Sequence, residues 1–279
     1  MRNLLKNYFN YINQSLIITF NLLKSSRKVR NADQVKLEYE YGSWNKVKLN
    51  FFQTLGVVEV KLSDFLFRFA FPEKKFFAIT NNFNVCDSYD YYKFKAQKII
   101  SLFNNSNESI LELGCGFGWN LAVLRNAGHK GSLFGIDISA TGISLAKEIS
   151  NRYDLEISFY NYDLNEVDSF SFLRKEINTI FIYQVLEQLP QNTSNIIRQV
   201  VEQFPGKRFV IVESSSELFP KNLSDVLTKL YVYKQNYQNR LLKTLRELES
   251  KNLVRQLSIS RYRCSHKLGH ESMLLTFYS

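Results

Sequence analysis

The chain has 279 residues, with 36 lysines and arginines against 26 aspartates and glutamates, for a net charge of +10. A hydrophobic content of 45% and an aromatic content of 15% exclude a disordered chain and allow one large domain, or one domain with an appendage. The basic balance suits anionic surfaces or substrates, although a lysine- and asparagine-rich composition gives the same excess without function; no like-charge run is long enough for a nucleic-acid arm.

Over residues 1–24, Leu4, Leu5, Tyr8, Phe9, Ile12 and Leu16 fall at helical spacing. Such an amphipathic helix packs on the main domain or a second subunit, or lies on a membrane surface with the help of Lys6, Lys24, Arg27 and Lys28. Asparagines interrupt it and no small-residue cleavage site follows, so neither a membrane span nor secretion is expected. Residues 25–33 read as a polar, basic linker. From 34 to 84, aromatic and β-branched runs such as 56–62 and 76–80, punctuated by Gly42, Gly56 and Pro72, predict short strands and turns. Residues 1–87 are expected to form a cap for acceptor binding or dimerisation, ahead of a second domain spanning 88–279.

A helix is predicted over 87–102, opening on Tyr89, Tyr91 and Tyr92. Residues 110–113 form a short apolar strand, and Gly114-Cys115-Gly116-Phe117-Gly118-Trp119 turns it into a helix over 121–126. Strands and helices then alternate: strand 132–136 ending at Asp137, helix 140–152, strand 155–160 leading to Asp163, strand 178–183, helix 192–203 and strand 208–212 ending at Glu213. A basic helical stretch over 221–251, broken near Tyr237, precedes strands 253–261 and 271–277. This is the pattern of a parallel sheet covered on both faces.

A strand that turns on glycines into a helix presents backbone N–H groups and the positive end of a helix dipole, and lets a nucleotide-type cofactor approach the backbone. Gly114, Gly116 and Gly118 give Gly-x-Gly-x-Gly. The dinucleotide fingerprint needs its third glycine where Trp119 stands, which weakens an NAD-dependent oxidoreductase. Asp137, about twenty residues further on, can accept from both ribose hydroxyls, or cap the helix beginning near Ala140. Cys86, Cys115 and Cys264 form no Cys-x-x-Cys pair, so no disulfide framework and no structural zinc or other metal site is expected, and a reduced, cytoplasmic compartment fits.

The runs Glu112-Leu113-Gly114-Cys115-Gly116-Phe117-Gly118, Gly135-Ile136-Asp137-Ile138-Ser139 and Tyr162-Asp163-Leu164 resemble the first three motifs of class I S-adenosylmethionine-dependent methyltransferases. Val185-Leu186-Glu187-Gln188-Leu189 resembles the fourth, with Gln188 where a histidine is common. The resemblance covers residues 88–279. It implies an α/β, Rossmann-like fold with a seven-stranded, mostly parallel sheet whose last strand is antiparallel, and S-adenosyl-L-methionine as cofactor. By the same resemblance Gly114, Gly116 and Gly118 face the methionine part and ribose, Asp137 holds the ribose hydroxyls, and Asp163 sets the adenine amino group. Glu112 would support the turn or reach the methionine amino group through water, and Gln184 would contact the methionine portion or the acceptor.

Methyl transfer from a sulfonium is an in-line displacement, so the protein aligns the acceptor and, where needed, removes its proton. The acceptor is expected beyond strands 178–183 and 208–212, near Tyr183, Gln184, Glu187 and Glu213. Glu213 is a candidate base or holder of a sugar hydroxyl, or else a helix-capping or salt-bridging residue; at the turn between the last two strands, His266 and His270 are candidate bases, and His129, on the far side of the sheet, reads as structural. Tyr89, Tyr91 and Tyr92 would close the pocket as an aromatic lid, or pack as core. No Asn/Asp-Pro-Pro-aromatic sequence follows strand 178–183, and no cysteine nucleophile follows the fourth or fifth strand. These absences favour O-methylation of a sugar, glycan or secondary-metabolite hydroxyl. The alternatives are an RNA or protein methyltransferase, with Arg240, Lys243 and Arg246 as an electrostatic platform, and a non-catalytic cofactor-binding scaffold subunit, suggested by Gln188.

Overall fold

The computed structural model describes residues 32–55, 60–70, 76–78, 84–86, 88–189, 191–214, 217, 223–237, 240–262, 264 and 272–279, with positions 13, 16, 17, 20, 23, 24 and 26 of the N-terminal segment. All of those seven positions but 26 are helical, as the spacing over 1–24 predicts; the other positions of the expected helix lie outside the described residues.

Between 34 and 84 the chain departs from the expected short strands. Helix α1 (Ala32–Leu37) runs through a π-helical stretch (Glu38–Ser43) into α2 (Trp44–Leu55), and α3 (Leu62–Asp64) continues as a second π-helical stretch (Phe65–Phe69). The aromatic and β-branched residues that resemble strand formers lie at helical spacing: Val47 and Phe51 are one turn apart and both buried. Phe51 and Phe65 join the same apolar cluster as Trp119, Ala146 and Ile149. Each such burial is worth roughly 2–3 kcal/mol, enough to override intrinsic propensity. Of the expected strand 76–80, Phe76–Ala78 is strand: β1 (Phe76–Ala78) pairs antiparallel with β2 (Asn84–Cys86).

Helix α4 (Ser88–Ile100) leads into the alternating part of the chain. Strands β3 (Ile110–Leu113), β4 (Leu133–Asp137), β5 (Ile157–Asn161), β6 (Thr179–Tyr183), β7 (Arg208–Ser214), β8 (Arg255–Tyr262) and β9 (Ser272–Tyr278) form one sheet in the order β5-β4-β3-β6-β7-β9-β8. Six strands share one direction and β9 opposes them. The linking helices are α5 (Trp119–Asn126), α6 (Ala140–Arg152), α7 (Thr193–Gln203), α8 (Leu223–Gln235) and α9 (Leu241–Ser250). The break expected near Tyr237 falls between α8 and α9, where Asn236 takes a left-handed φ of 55°.

Side chains alternate along each strand and so fill both faces. On β7, Val210 and Val212 point into the cluster with α4, α5 and α6, while Phe209 and Ile211 point into the one with α7 and α9. Strand order reverses at β3: β4 and β5 lie to one side, β6 and β7 to the other. Connecting loops leave the carboxyl ends in opposite directions there and open a crevice. No helix among the described residues is long and apolar enough to cross a membrane.

Candidate active site

The glycine turn lies at that crevice. Gly114 and Cys115 donate their N–H groups to the Ile136 carbonyl (2.7 and 2.9 Å), Gly116 donates to Asp137 Oδ2 (2.8 Å), and Gly118 donates to the Cys115 carbonyl (2.9 Å). At these four positions the N–H groups expected to face a ligand are spent inside the protein. Glycine supplies backbone freedom and space instead: φ is +75° at Gly114 and +58° at Gly116, and a Cβ at Gly116 would meet the Trp44 ring at 2.6 Å. Gly118 does not line the cavity. It precedes α5 and packs so closely on Phe159 that a Cβ would come within 2.5 Å of that ring.

A cavity of about 380 Å³ opens beside the turn, within the range of small-molecule sites. Gly114, Gly116, Asp137 and Asp163 line one end; Tyr183, Gln184, Glu187 and Gln188 line the other; Val35, Tyr39 and Trp44 reach it from the N-terminal helices. Asp137 Oδ1 accepts the Ser139 N–H (2.8 Å). Capping of α6, one of two roles open to Asp137, belongs to Ser139, whose Oγ accepts the Gly142 N–H (3.0 Å). Burial raises the Asp137 pKa against the two N–H bonds that favour its anion. Asp163 Oδ1 accepts from the backbone and side-chain nitrogens of Asn165, both at 2.8 Å.

The cover beside Asp137 comes from a segment read as short strands and turns. Glu40, in the π-helical stretch, accepts from Ser139 Oγ (2.6 Å), Thr141 N (3.0 Å) and Thr141 Oγ1 (2.7 Å), at the positive end of α6. Burial raises its pKa, but these hydrogen bonds prevail and hold it below the usual value. The expected lid tyrosines lie elsewhere. Tyr92 is buried on α4 with its ring 5.7 Å from that of Trp119, and Tyr89 packs on Phe67 at 6.0 Å under the Arg68 guanidinium; neither lines the cavity. A helix start rich in tyrosine marks core here, because the N-terminal helices cover it. Trp119 does line the cavity, and its Nε1 donates to the Leu66 carbonyl (3.0 Å), tying the cap to the site.

Lys95 is the site residue that motif reading misses. It lines the cavity with its ammonium 4.9 Å from the Trp119 ring and 4.7 Å from the Tyr183 ring, a cation–π sandwich. Burial lowers its pKa, and the charges of Cys264 and Glu112 act in the opposite direction. The signal was its place in α4, one turn after Tyr91 and one before Ile99, both buried. Glu112 lies behind the cavity: Oε1 accepts from Asn120 Nδ2 (2.5 Å), and Oε2 is buried without a hydrogen-bond partner.

Burial pushes the Glu112 carboxyl up to about 8, from 4.5, with the Asn120 hydrogen bond and the Lys95 charge opposing. Between those two values the folded chain holds a proton that the unfolded chain has released, so stability falls as pH rises through this window and levels off above it. Glu112→Gln, which mimics the protonated form, is expected to flatten that slope and raise stability at pH 8, by on the order of a few kcal/mol at most. Urea denaturation at pH 5 and pH 8 checks this; an unchanged slope would show that Glu112 is ionised in the folded chain.

At the other end, Glu213 is fully buried and does not line the cavity. Its Oε1 accepts the N–H groups of Val185 and Leu186 (both 2.7 Å), and its Oε2 that of Glu187 (3.0 Å). Burial and the neighbouring Glu187 charge raise its pKa well above the usual range. A carboxylate whose two oxygens are turned to three backbone donors holds the 185–187 turn, so the geometry places Glu213 as a clamp rather than as the expected base. Glu187 and Gln188 are joined by a 3.1 Å bond from Gln188 Nε2 to Glu187 Oε1. Gln184 holds a left-handed φ of 55°, the kind of backbone strain that clusters at functional sites. His129 bonds the Glu108 carbonyl through Nε2 (2.7 Å), away from the cavity, while His266 and His270 lie outside the described residues.

A sheet in this order with one opposed strand, carrying the glycine turn and an acidic residue at the end of the next strand, defines the Rossmann-like fold of class I S-adenosylmethionine-dependent methyltransferases. The chain belongs to that family: residues 104–252, more than half of its length, match the family described as a methyltransferase domain. Among solved structures, the magnesium protoporphyrin IX methyltransferase ChlM from Synechocystis PCC 6803, with bound SAM, is 15% identical over 90% of this chain and 99% of its own, with a TM-score of 0.51. The [4+2]-cyclase SpnF is 12% identical over 91% of this chain and 99% of its own, with a TM-score of 0.58. At such identities the likeness is one of fold. A carboxy-S-adenosyl-L-methionine synthase from Campylobacter jejuni subsp. jejuni serotype O:23/36 (strain 81-176) is 38% identical over 66 residues, 24% of this chain. That match spans 28% of the synthase's own length.

Proposed function

We propose that the chain binds S-adenosyl-L-methionine and methylates a hydroxyl of a sugar, glycan or secondary metabolite. The observation that supports this is a single cavity running from the glycine turn and Asp137 to Tyr183, Glu187 and Tyr237 at the ends of β6 and beyond α8. The residues suit the cofactor: Gly114, Gly116, Asp137 and Asp163 line the cavity, and Glu112 Oε2 behind it is a buried oxygen without a hydrogen-bond partner. Bound there, the cofactor supplies an electrophilic methyl group on a sulfonium. Asp137 holds the ribose hydroxyls and Asp163 the adenine amino group. Lys95 takes the methionine carboxylate, and Glu112 answers the ammonium through Asn120 or water. The N-terminal helices act as a cap that excludes water over the glycine turn.

Of the expected basic platform, Arg246 is answered within α9 by Glu249, and α9 itself carries Glu247 and Glu249, which favours a small acceptor over an RNA. Methyl transfer to a panel of hydroxyl acceptors, followed by mass spectrometry, tests the proposal. Lys95→Met is expected to raise KM for S-adenosylmethionine by roughly ten- to a hundredfold, the loss of one hydrogen bond to a charged group, with kcat changed far less. An unchanged KM would remove Lys95 from the cofactor site. A second reading uses the same residues: the curated relatives are named as carboxy-S-adenosyl-L-methionine synthases, and a lysine lining the cavity also suits a cofactor carrying an added carboxylate. Tighter binding of the carboxylated form than of S-adenosylmethionine would select it.

A further inference from the structure

Residues 1–31 hold Arg2, Lys6, Lys24, Arg27, Lys28 and Arg30 and no aspartate or glutamate, so this ninth of the chain carries six of its ten net positive charges. Leu5, Phe9, Ile12, Leu16, Phe20 and Leu23 recur every three or four residues, which places them on one face of a helix. The opposite face is Asn3, Asn7, Asn10, Gln14 and Asn21. Where the structure describes this helix, its apolar side chains stand in solvent: Leu16 is 62% exposed, Ile17 53%, Phe20 56% and Leu23 63%. The Lys24 ammonium lies 4.0 Å from the Phe20 ring, so charge borders the apolar face.

We infer that this helix docks the protein on an anionic lipid surface, lying in the interface plane. An exposed apolar stripe edged by cations and free of acids fits the acyl boundary beneath acidic headgroups. Each lysine or arginine near such a surface adds about 1 kcal/mol of attraction. The other occupants fit less well. A second copy would bring six positive charges against six, and the remainder of this chain is itself net positive. The asparagine stripe excludes a span, since no run of about 20 apolar residues is present. The inference rests on the N-terminal segment alone and is independent of the reaction.

Flotation of the full-length protein with phosphatidylglycerol–phosphatidylcholine vesicles, and with phosphatidylcholine vesicles alone, tests it. Most of the protein is expected to float with the anionic vesicles and little with the neutral ones. The double variant Leu16→Asp/Phe20→Asp is expected to lower the bound fraction roughly tenfold or more, and Lys24→Gln/Arg27→Gln/Lys28→Gln to lower it while reducing its salt sensitivity. S-adenosylhomocysteine binding in each variant reports that the fold is intact. No flotation of the parent protein, or equal flotation of the Leu16→Asp/Phe20→Asp variant, would overturn the inference. So would a dimer, seen by light scattering, that the same variant dissolves while vesicle binding is absent.

Discussion

Asp137→Ala is expected to weaken binding of S-adenosylhomocysteine at least tenfold, roughly the loss of one hydrogen bond to a charged group, as read by isothermal titration calorimetry. The carboxylate has two tasks that share its oxygens. Toward the protein, Oδ2 accepts the Gly116 N–H and Oδ1 the Ser139 N–H, so it pins the glycine turn to the start of α6. Toward the ligand we propose it as the acceptor for the ribose hydroxyls. Alanine removes both, and the two backbone donors must then find water beneath Trp44. Asp137→Asn separates the tasks: it keeps one acceptor oxygen but sets an amide nitrogen against one of the two N–H groups, so it is expected to bind weakly while folding. The unliganded melting temperature should fall by a few degrees for alanine, about what 1 kcal/mol gives in a chain of this length. Near-normal affinity in Asp137→Ala would overturn the ribose assignment.

The sequence made the sheet legible because β-strands buried on both faces read as apolar runs, and because the glycine turn and Asp137 sit at fixed distances along the chain. Strand 110–113 and helix 140–152 fall where the runs place them, and the run 208–212 extends two residues further as strand, to Ser214. The helical structure of the N-terminal region after residue 31 was not legible. Val47, Phe51 and Phe65 have the residue types of strands, and only the surface they pack against makes them helical. The same limit hid the site's cover: nothing local in Glu40 says that it will bond Ser139 and Thr141 a hundred residues away. Lys95 carries no motif, and its role comes from two aromatic rings that different strands and helices bring around it. Glu213 was legible as an acid at a strand end, but its partners are backbone N–H groups, which no side-chain pattern reveals.

Glu213→Ala should be the most destabilising single change in the site, by about 3–5 kcal/mol, the range for breaking a buried charge network. It strands three buried N–H donors, each worth roughly 1–3 kcal/mol when left unpaired. The relief of Glu187, whose like charge Glu213 faces, offsets only part of that loss. Glu213→Gln keeps one oxygen for Val185 and Leu186 and removes the repulsion, so it is expected to lose about half as much or less. The midpoint of urea unfolding at constant m-value measures both. The pair also has a definite pH sign. Burial and mutual repulsion raise the Glu213 pKa, so the folded state keeps a proton that the unfolded state gives up, and stability declines as pH rises toward the folded value. Glu213→Gln removes that decline. A base at this position predicts the reverse pattern: Glu213→Gln would keep its stability and lose kcat by about a hundredfold or more. As a clamp, Glu213→Gln keeps most of its kcat, and its losses scale with how far the 185–187 turn loosens.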